Sequence, residues 1–183
     1  MTQLNFENIA AIVPTYSMVG DTTMIIKTDG SKQIIDHSIR TVLNRLADSR
    51  ATNLIALKQR ASSATEQRIF LPLAIAPDLV LSAVKVRTPR VPGDTCTGYF
   101  NLHALSSLTV NNNKPYHATI KLTGGTELPV LWTISTVKKH LQYARLAMSY
   151  TAHCPEIPPS LLPIAIKIVG LVHDILSLRS EKE

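Results

Sequence analysis

The chain has 183 residues, of which 45% are hydrophobic and 17% are charged, and its formal net charge is +6. This composition is typical of a folded globular protein and argues against global disorder. No apolar run has the length needed to span a bilayer, and the first residues lack the pattern of a secretory segment. The two cysteines are too few and too isolated for a disulfide scaffold, so we expect a reducing cytoplasm.

The first predicted unit is a β-hairpin followed by a helix near the N-terminus. Its turn is Asp29-Gly30, a pair that favours the tight turns of hairpins, and Ser38 is a suitable N-cap for the helix. Val42 and Leu46 are spaced as core positions of that helix. The segment therefore predicts two antiparallel strands and one helix.

The middle of the chain predicts strands at residues 53–60, 68–75 and 79–87, although the last segment is also compatible with a short helix. Alternation within 83–87 places Lys85 and Arg87 on one face and the valines on the other. Residues 88–95 contain two prolines and a glycine, which cannot continue a strand or a helix. We predict a connector there, and it is the best boundary between the two halves of the protein.

A second hairpin and helix extend from His117 to Tyr150. Gly124-Gly125 is the predicted turn, and Thr133 or Ser135 caps the helix. Four residues recur at helical spacing and face the core: Val137, Leu141, Ala144 and Met148. Seven residues of this unit match the first unit at a separation of 95 positions. Because the matches fall at turn, cap and core positions together, duplication or pseudo-symmetry is favoured over coincidence.

The C-terminal segment predicts a last helix from about Ser160 to Leu178, after a proline-rich connector. Its apolar positions alternate in steps of three and four, as in a short coiled-coil seam: Leu161, Ile164, Ile168, Leu171, Ile175 and Leu178. The seam packs either on its own domain or on a second copy of the chain, which would make the protein a homo-oligomer. We therefore predict three parts, an N-terminal half with the first unit (1–90), the second unit (91–154) and a helical tail (155–183). The expected fold class is α+β, with an antiparallel β-hairpin core, two hairpin–helix repeats and a C-terminal helix.

Basic residues are concentrated in the middle of the chain. Between residues 50 and 93 there are seven arginines and lysines and only two carboxylates, and seven minus two gives +5 of the total charge of +6. Arginine predominates, and its planar guanidinium suits phosphates and base edges. These observations favour nucleic-acid binding over a surface that is charged only for solubility. The predicted DNA-binding residues are Lys58, Arg60, Lys85, Arg87, Arg90, Lys138 and Arg145.

Enzymes and protein-binding modules are the alternative classes. The neighbouring Asp36 and His37, and Cys96 seven residues before His103, are the nearest groupings to a catalytic site. Adjacent strand residues point to opposite faces, and a reactive cysteine needs a nearby base, so neither grouping demonstrates chemistry. The histidines have no paired spacing for a metal, and we expect no cofactor. A protein-only module that recognises an acidic partner remains open.

Four segments of the chain form a recognisable series: residues 33–40, the Ile69-Phe70-Leu71 segment, the Cys96-Thr97-Gly98-Tyr99 segment and the hairpin–helix between Thr119 and Gln142. Their order and approximate spacing resemble those of the ComK family, the competence transcription factors of Firmicutes. The resemblance implies a cytoplasmic activator that binds A/T-rich promoter boxes as an oligomer, switches on DNA-uptake genes and contacts RNA polymerase. A narrow A-tract minor groove attracts inserted arginines, so Arg87 and Arg90 are expected to read it. The remaining cations are expected to contact phosphates. For Lys138 and Arg145 the alternative is a solvated helix face without a ligand.

Overall fold

Both predicted hairpin–helix units are present in the structure, a computed structural model that describes residues 5–18 and 20–152. The fold class is α+β, as expected, and all neighbouring strands are antiparallel. The strands are β1 (Ile9–Ser17), β2 (Gly20–Lys27), β3 (Lys32–Ile35), β4 (Leu73–Ala76), β5 (Leu79–Lys85), β6 (Thr97–Asn101), β7 (Leu105–Val110), β8 (Ala118–Leu122) and β9 (Glu127–Val130). The helices are α1 (Ile39–Ser49), α2 (Leu54–Thr65) and α3 (Ile134–Ala152).

The two hairpins have the same strand register at a separation of 95 positions. The pairs are Thr23 with Ile35, Met24 with Ile34, Ile25 with Gln33 and Ile26 with Lys32 in the first, and Ala118 with Val130, Thr119 with Pro129, Ile120 with Leu128 and Lys121 with Glu127 in the second. The helix caps correspond as well, because the Ser38 and Thr133 hydroxyls accept hydrogen bonds from the backbone N–H three residues on, each at 3.4 Å. The sequence correspondence is therefore also a structural one.

The turns of the two hairpins touch each other through their backbones. A Cβ atom built on Gly124 would lie 2.2 Å from the Gly30 nitrogen, and one built on Gly30 would lie 2.6 Å from the Gly124 oxygen. Gly30 also has a φ of +86°, in the left-handed region that favours glycine. Neither position can hold a larger residue unless the backbone moves.

The strands form two sheets that are packed face to face. The larger has six strands in the order β3-β2-β1-β6-β5-β4, and the smaller has three in the order β7-β8-β9. Because strand side chains alternate, the large sheet has two apolar faces. Ile12 and Ile25 on one face pack with α1 and α2, whereas Val13 and Ile26 on the other pack with the small sheet and α3. The small sheet is thus part of the common core.

The strand predicted at residues 53–60 is wrong, because residues 54–65 form α2. The Asn53 side chain caps this helix by accepting hydrogen bonds from the N–H groups of Ile55 and Ala56, at 2.9 and 3.1 Å. The buried residues have helical spacing, but several are small and give a weak periodic pattern: Leu54, Leu57, Ala61, Ala64 and Thr65. Alternation along a strand would place Lys58 and Arg60 on one face, whereas on a helix they lie about 200° apart.

The other two middle strands differ in length from the prediction. Residues 79–85 form β5, which confirms a strand and excludes the short helix. The strand predicted at 68–75 begins only at Leu73. Before it, Phe70 has a φ of 53° and Pro72 has no N–H to donate, so the chain turns there instead of extending.

The described residues, 5–18 and 20–152, form one compact unit. The tail helix predicted at 160–178, with its seam of apolar residues, lies outside the described residues. None of the helices within the described residues has the length and apolar character needed to cross a membrane.

Candidate nucleic-acid interface

The loop between β5 and β6 is held in a defined shape by one carboxylate. Asp94 accepts hydrogen bonds from the backbone N–H groups of Arg90 and Val91, at 3.0 and 3.1 Å, and a third from the Tyr16 hydroxyl of β1. Gly93 has a φ of +97°, which allows the chain to turn back toward Asp94. The loop predicted at 88–95 is therefore fastened to the end of the neighbouring strand, and its residues 88–93 are exposed.

Tyr16 also lies between two guanidinium groups. The Cζ atoms of Arg87 and Arg90 are 3.9 and 4.1 Å from the centre of its ring, within cation–π range. Desolvation and the hydrogen bond to Asp94 raise the pKa of Tyr16. The same hydrogen bond, followed by that from Val91, lowers the pKa of Asp94. At neutral pH the tyrosine is therefore protonated and the aspartate is charged, the states that the hydrogen bond requires.

Arg87 is in the expected region but is not free. Its side chain is only 11% exposed and forms an ion pair with Asp21 of β2. Its Nε donates to the Thr95 carbonyl at 2.9 Å, and the buried Nη1 has no hydrogen-bond partner in the described part of the chain. In this arrangement Arg87 ties β2 to the loop, and its guanidinium cannot extend into a groove.

Arg90 is exposed, and no carboxylate of the described residues lies within ion-pair distance of its side chain. Asp94 lies nearby, but the contacts of its carboxylate are with backbone N–H groups and Tyr16. The next residue, Val91, is apolar and 58% exposed. The carboxylates of Asp21 and Asp94 balance the guanidinium groups of Arg87 and Arg90, so this site has no local excess of positive charge. Arg90 can contact a ligand because its position is exposed.

A cleft of about 380 Å³ opens beside the loop. Its polar lining includes Arg87, Arg90, Tyr16 and Tyr116, and its apolar lining includes Val13, Met24 and Leu128. Tyr116 comes from the connection between β7 and β8, so both sheets contribute to the cleft. The loop with Arg90 therefore lies at a place where the two repeats meet.

The other predicted DNA-binding residues occupy separate places. Lys58 and Arg60 are on α2, Lys138 and Arg145 are exposed on α3, and Lys85 is exposed at the end of β5. The described residues place no carboxylate within ion-pair distance of any of these five. Of the seven predicted DNA-binding residues, Arg87 and Arg90 are the two that contact a common side chain in the described part of the chain, the ring of Tyr16. The seven cations thus do not form one cluster around a single group.

An aromatic cluster that the sequence did not predict lies near Lys85. It consists of Phe70, Trp132, His140 and Tyr143, all partly exposed. Trp132 stacks on His140 at 4.4 Å between ring centres, and Phe70 meets Trp132 edge-on at 4.8 Å. His140 meets Tyr143 edge-on at 5.5 Å. The helical spacing of His140 and Tyr143 was visible in the sequence, but Phe70 joins them only through the fold.

The grouping of Cys96 with His103 is not supported by the positions of the two residues. Cys96 and His103 flank opposite ends of β6, a five-residue strand, which separates them by roughly 17 Å or more. The Cys96 thiol lies instead 3.6 Å from the Asp94 carbonyl. Within the described residues, no group of three or more His, Cys, Asp and Glu side chains could hold a metal ion.

Comparison of the chain with family models, with curated proteins and with solved structures found no match. The resemblance to the ComK family therefore stays a prediction.

Proposed function

We propose that the protein is a DNA-binding transcriptional regulator that prefers A/T-rich duplex and reads it with the loop at residues 88–93. The observation that carries this proposal is the exposed Arg90, which has no ion-pair partner among the described residues and lies on a loop that Asp94 and Tyr16 hold in place. A pre-organised arginine loses less conformational freedom when it binds. A narrow A-tract minor groove concentrates negative potential and attracts such a side chain.

The exposed apolar side chain beside Arg90 supports the same proposal. Proteins that bind the minor groove often pair arginine with an apolar residue that wedges between base steps. Val91 follows Arg90 directly and is 58% exposed. Arg87, which the sequence suggested as a second groove-reading residue, acts in this proposal by positioning the loop.

The phosphate contacts come from exposed cations outside the loop. Residues 134–152, which form α3, contain no aspartate or glutamate, so the exposed Lys138 and Arg145 have no neighbouring acid on their own helix. Phosphate contacts set the register of a protein on duplex without reading its sequence. The activation of DNA-uptake genes by an oligomer is the further role that the ComK resemblance implies.

The experiment is a titration of the full chain on A/T-rich and G/C-rich duplexes at several salt concentrations. Arg90→Ala should weaken binding to the A/T-rich duplex by about 1–3 kcal/mol and remove the preference between the two, as expected for a lost base-edge contact. Lys138→Ala should weaken both complexes alike and reduce the salt slope by about one. Gel shifts or fluorescence anisotropy give both quantities.

Arg45→Ala is the matched control, because Arg45 is an exposed arginine on α1, which packs on the other face of the large sheet from the one that lines the cleft. It should leave the preference for A/T-rich duplex unchanged. The proposal fails if the unmodified protein has no such preference, or if Arg45→Ala abolishes it as fully as Arg90→Ala does. A protein that shows neither a preference for A/T-rich duplex nor a fall in affinity with salt would instead fit a module that binds another protein.

A further inference from the structure

The aromatic cluster has features that binding of duplex does not use. Its four rings come from the segment before β4, from the segment before α3 and from α3 itself, and each is partly exposed. Tyr143 belongs to none of the buried core clusters that the described residues form, so packing within this part of the chain does not by itself account for its place. Tyr150 continues the surface two helical turns along α3 and is 57% exposed.

Lysines lie against the outer rings of the cluster. The Lys139 Nζ is 5.7 Å from the centre of the Tyr143 ring, and the Lys85 Nζ is 6.0 Å from the centre of the Phe70 ring. No carboxylate in the part of the chain that the structure describes is within ion-pair distance of either lysine. The surface therefore combines aromatic rings with uncompensated positive charge.

His140 contributes an uncharged ring to this surface. Desolvation, followed by the nearby Lys139, lowers its pKa, so the imidazole is neutral around pH 7. A neutral imidazole stacks as an apolar aromatic ring and adds no charge that would compete with Lys139 for an anion. Its stacking on Trp132 at 4.4 Å also holds the tryptophan ring in place.

Aromatic rings flanked by cations are suited to single-stranded nucleic acid. Each unpaired base has a π-face that stacks on a side-chain ring, and the cations bind the phosphates. Bases within a duplex are already stacked on one another and cannot reach such rings. We propose that the aromatic cluster formed by Phe70, Trp132, His140 and Tyr143 is a second nucleic-acid site, which binds unpaired bases of a single strand with Lys85 and Lys139 at its phosphates. This site is independent of the loop at residues 88–93.

Trp132 makes the proposal directly measurable, because it is the only tryptophan in the chain. The full-length protein is titrated with a short oligothymidylate while the emission of Trp132 is recorded. Bases that stack within the cluster should quench this emission, and the affinity should fall with rising salt. Oligouridylate, tested in parallel, shows whether the site distinguishes DNA from RNA.

Tyr143→Ala should weaken oligothymidylate binding by about tenfold, which corresponds to the loss of one stacked base. Tyr143→Phe keeps the ring and should bind as the unmodified protein does, which separates stacking from a general effect on the fold. Lys139→Gln should weaken binding and reduce the salt dependence. Arg90→Ala should leave the affinity for oligothymidylate unchanged even where it removes the preference for A/T-rich duplex.

The proposal is overturned if oligothymidylate binds without changing the Trp132 emission, or does not bind at all. It is also overturned if Tyr143→Ala binds as well as Tyr143→Phe. If Arg90→Ala weakens oligothymidylate binding as much as Tyr143→Ala does, the single strand lies on the loop at residues 88–93. That result likewise contradicts a separate site. Quenching by oligothymidylate in a protein without duplex preference would support this site while refuting the function proposed above.

Discussion

Residues whose roles depend on their immediate neighbours in the sequence are the ones that could be predicted. Ser38 and Thr133 cap helices, as their positions before apolar periodic segments indicate. The role of Arg87 could not be predicted, because Asp21, its partner in the ion pair, is 66 positions away. The alternation of the sequence predicted Arg87 on an exposed strand face. In the fold, contacts with residues that are distant in the sequence cover most of its side chain.

His140 provides a prediction about pH at the level of one side chain. Its pKa is lowered in the folded protein, so the unfolded chain takes up a proton at a higher pH than the folded protein does. The contribution of this histidine to stability is fully present above about pH 6.5, the ordinary value, and is lost as the pH falls through the lowered pKa. Urea unfolding at a series of pH values should show this decline, and His140→Gln should reduce it. If the free energy of unfolding of His140→Gln falls with pH as steeply as that of the unmodified protein, another group causes the decline.

The elements were predicted where turn, cap and periodicity agreed. The hairpins at Gly30 and Gly125 satisfy all three conditions and are present with matching register. Helix α2 was missed because its buried face includes Ala61 and Ala64, which weaken the helical pattern, while its first residues are apolar enough to suggest a strand. The cap at Asn53 was the local feature that could have corrected this.

The cap of α2 can be tested by substitution. Asn53→Ala removes the acceptor for two N–H groups at the start of the helix and should destabilise the protein by about 1 kcal/mol. Asn53→Asp keeps a side-chain oxygen at this position and should restore most of the stability. Urea unfolding measures both variants. If Asn53→Ala is as stable as the unmodified protein, the cap contributes little and α2 depends on packing alone.

At the scale of the whole molecule, the repeat was visible in the sequence but the packing of its two copies was not. The separation of 95 positions identifies the corresponding residues of the two copies. It does not predict which face of the large sheet packs against the small sheet. The structure places Val13 and Ile26 of the large sheet in one core with Ile120 and Val137 of the second unit. The candidate interface depends on this packing, since the cleft beside Arg90 is lined from both sheets.

A shared core predicts cooperative unfolding. The amide protons of β2 and β8 should lose their protection from hydrogen exchange together as urea is added, because neither strand keeps its apolar face covered without the other sheet. The Trp132 emission should change over the same range. Loss of protection in β8 at a clearly lower urea concentration than in β2 would show that the two units unfold separately.

The backbones of Gly30 and Gly124 are in direct contact, so this contact limits how closely the two hairpin turns approach each other. Strand β2 includes Asp21, the ion-pair partner of Arg87, and leads to the turn at Gly30, so it connects this contact with the cleft. We therefore expect that a methyl group added at either glycine would displace the turn together with β2, and would alter the opening beside Arg90 although no residue of the cleft had been changed.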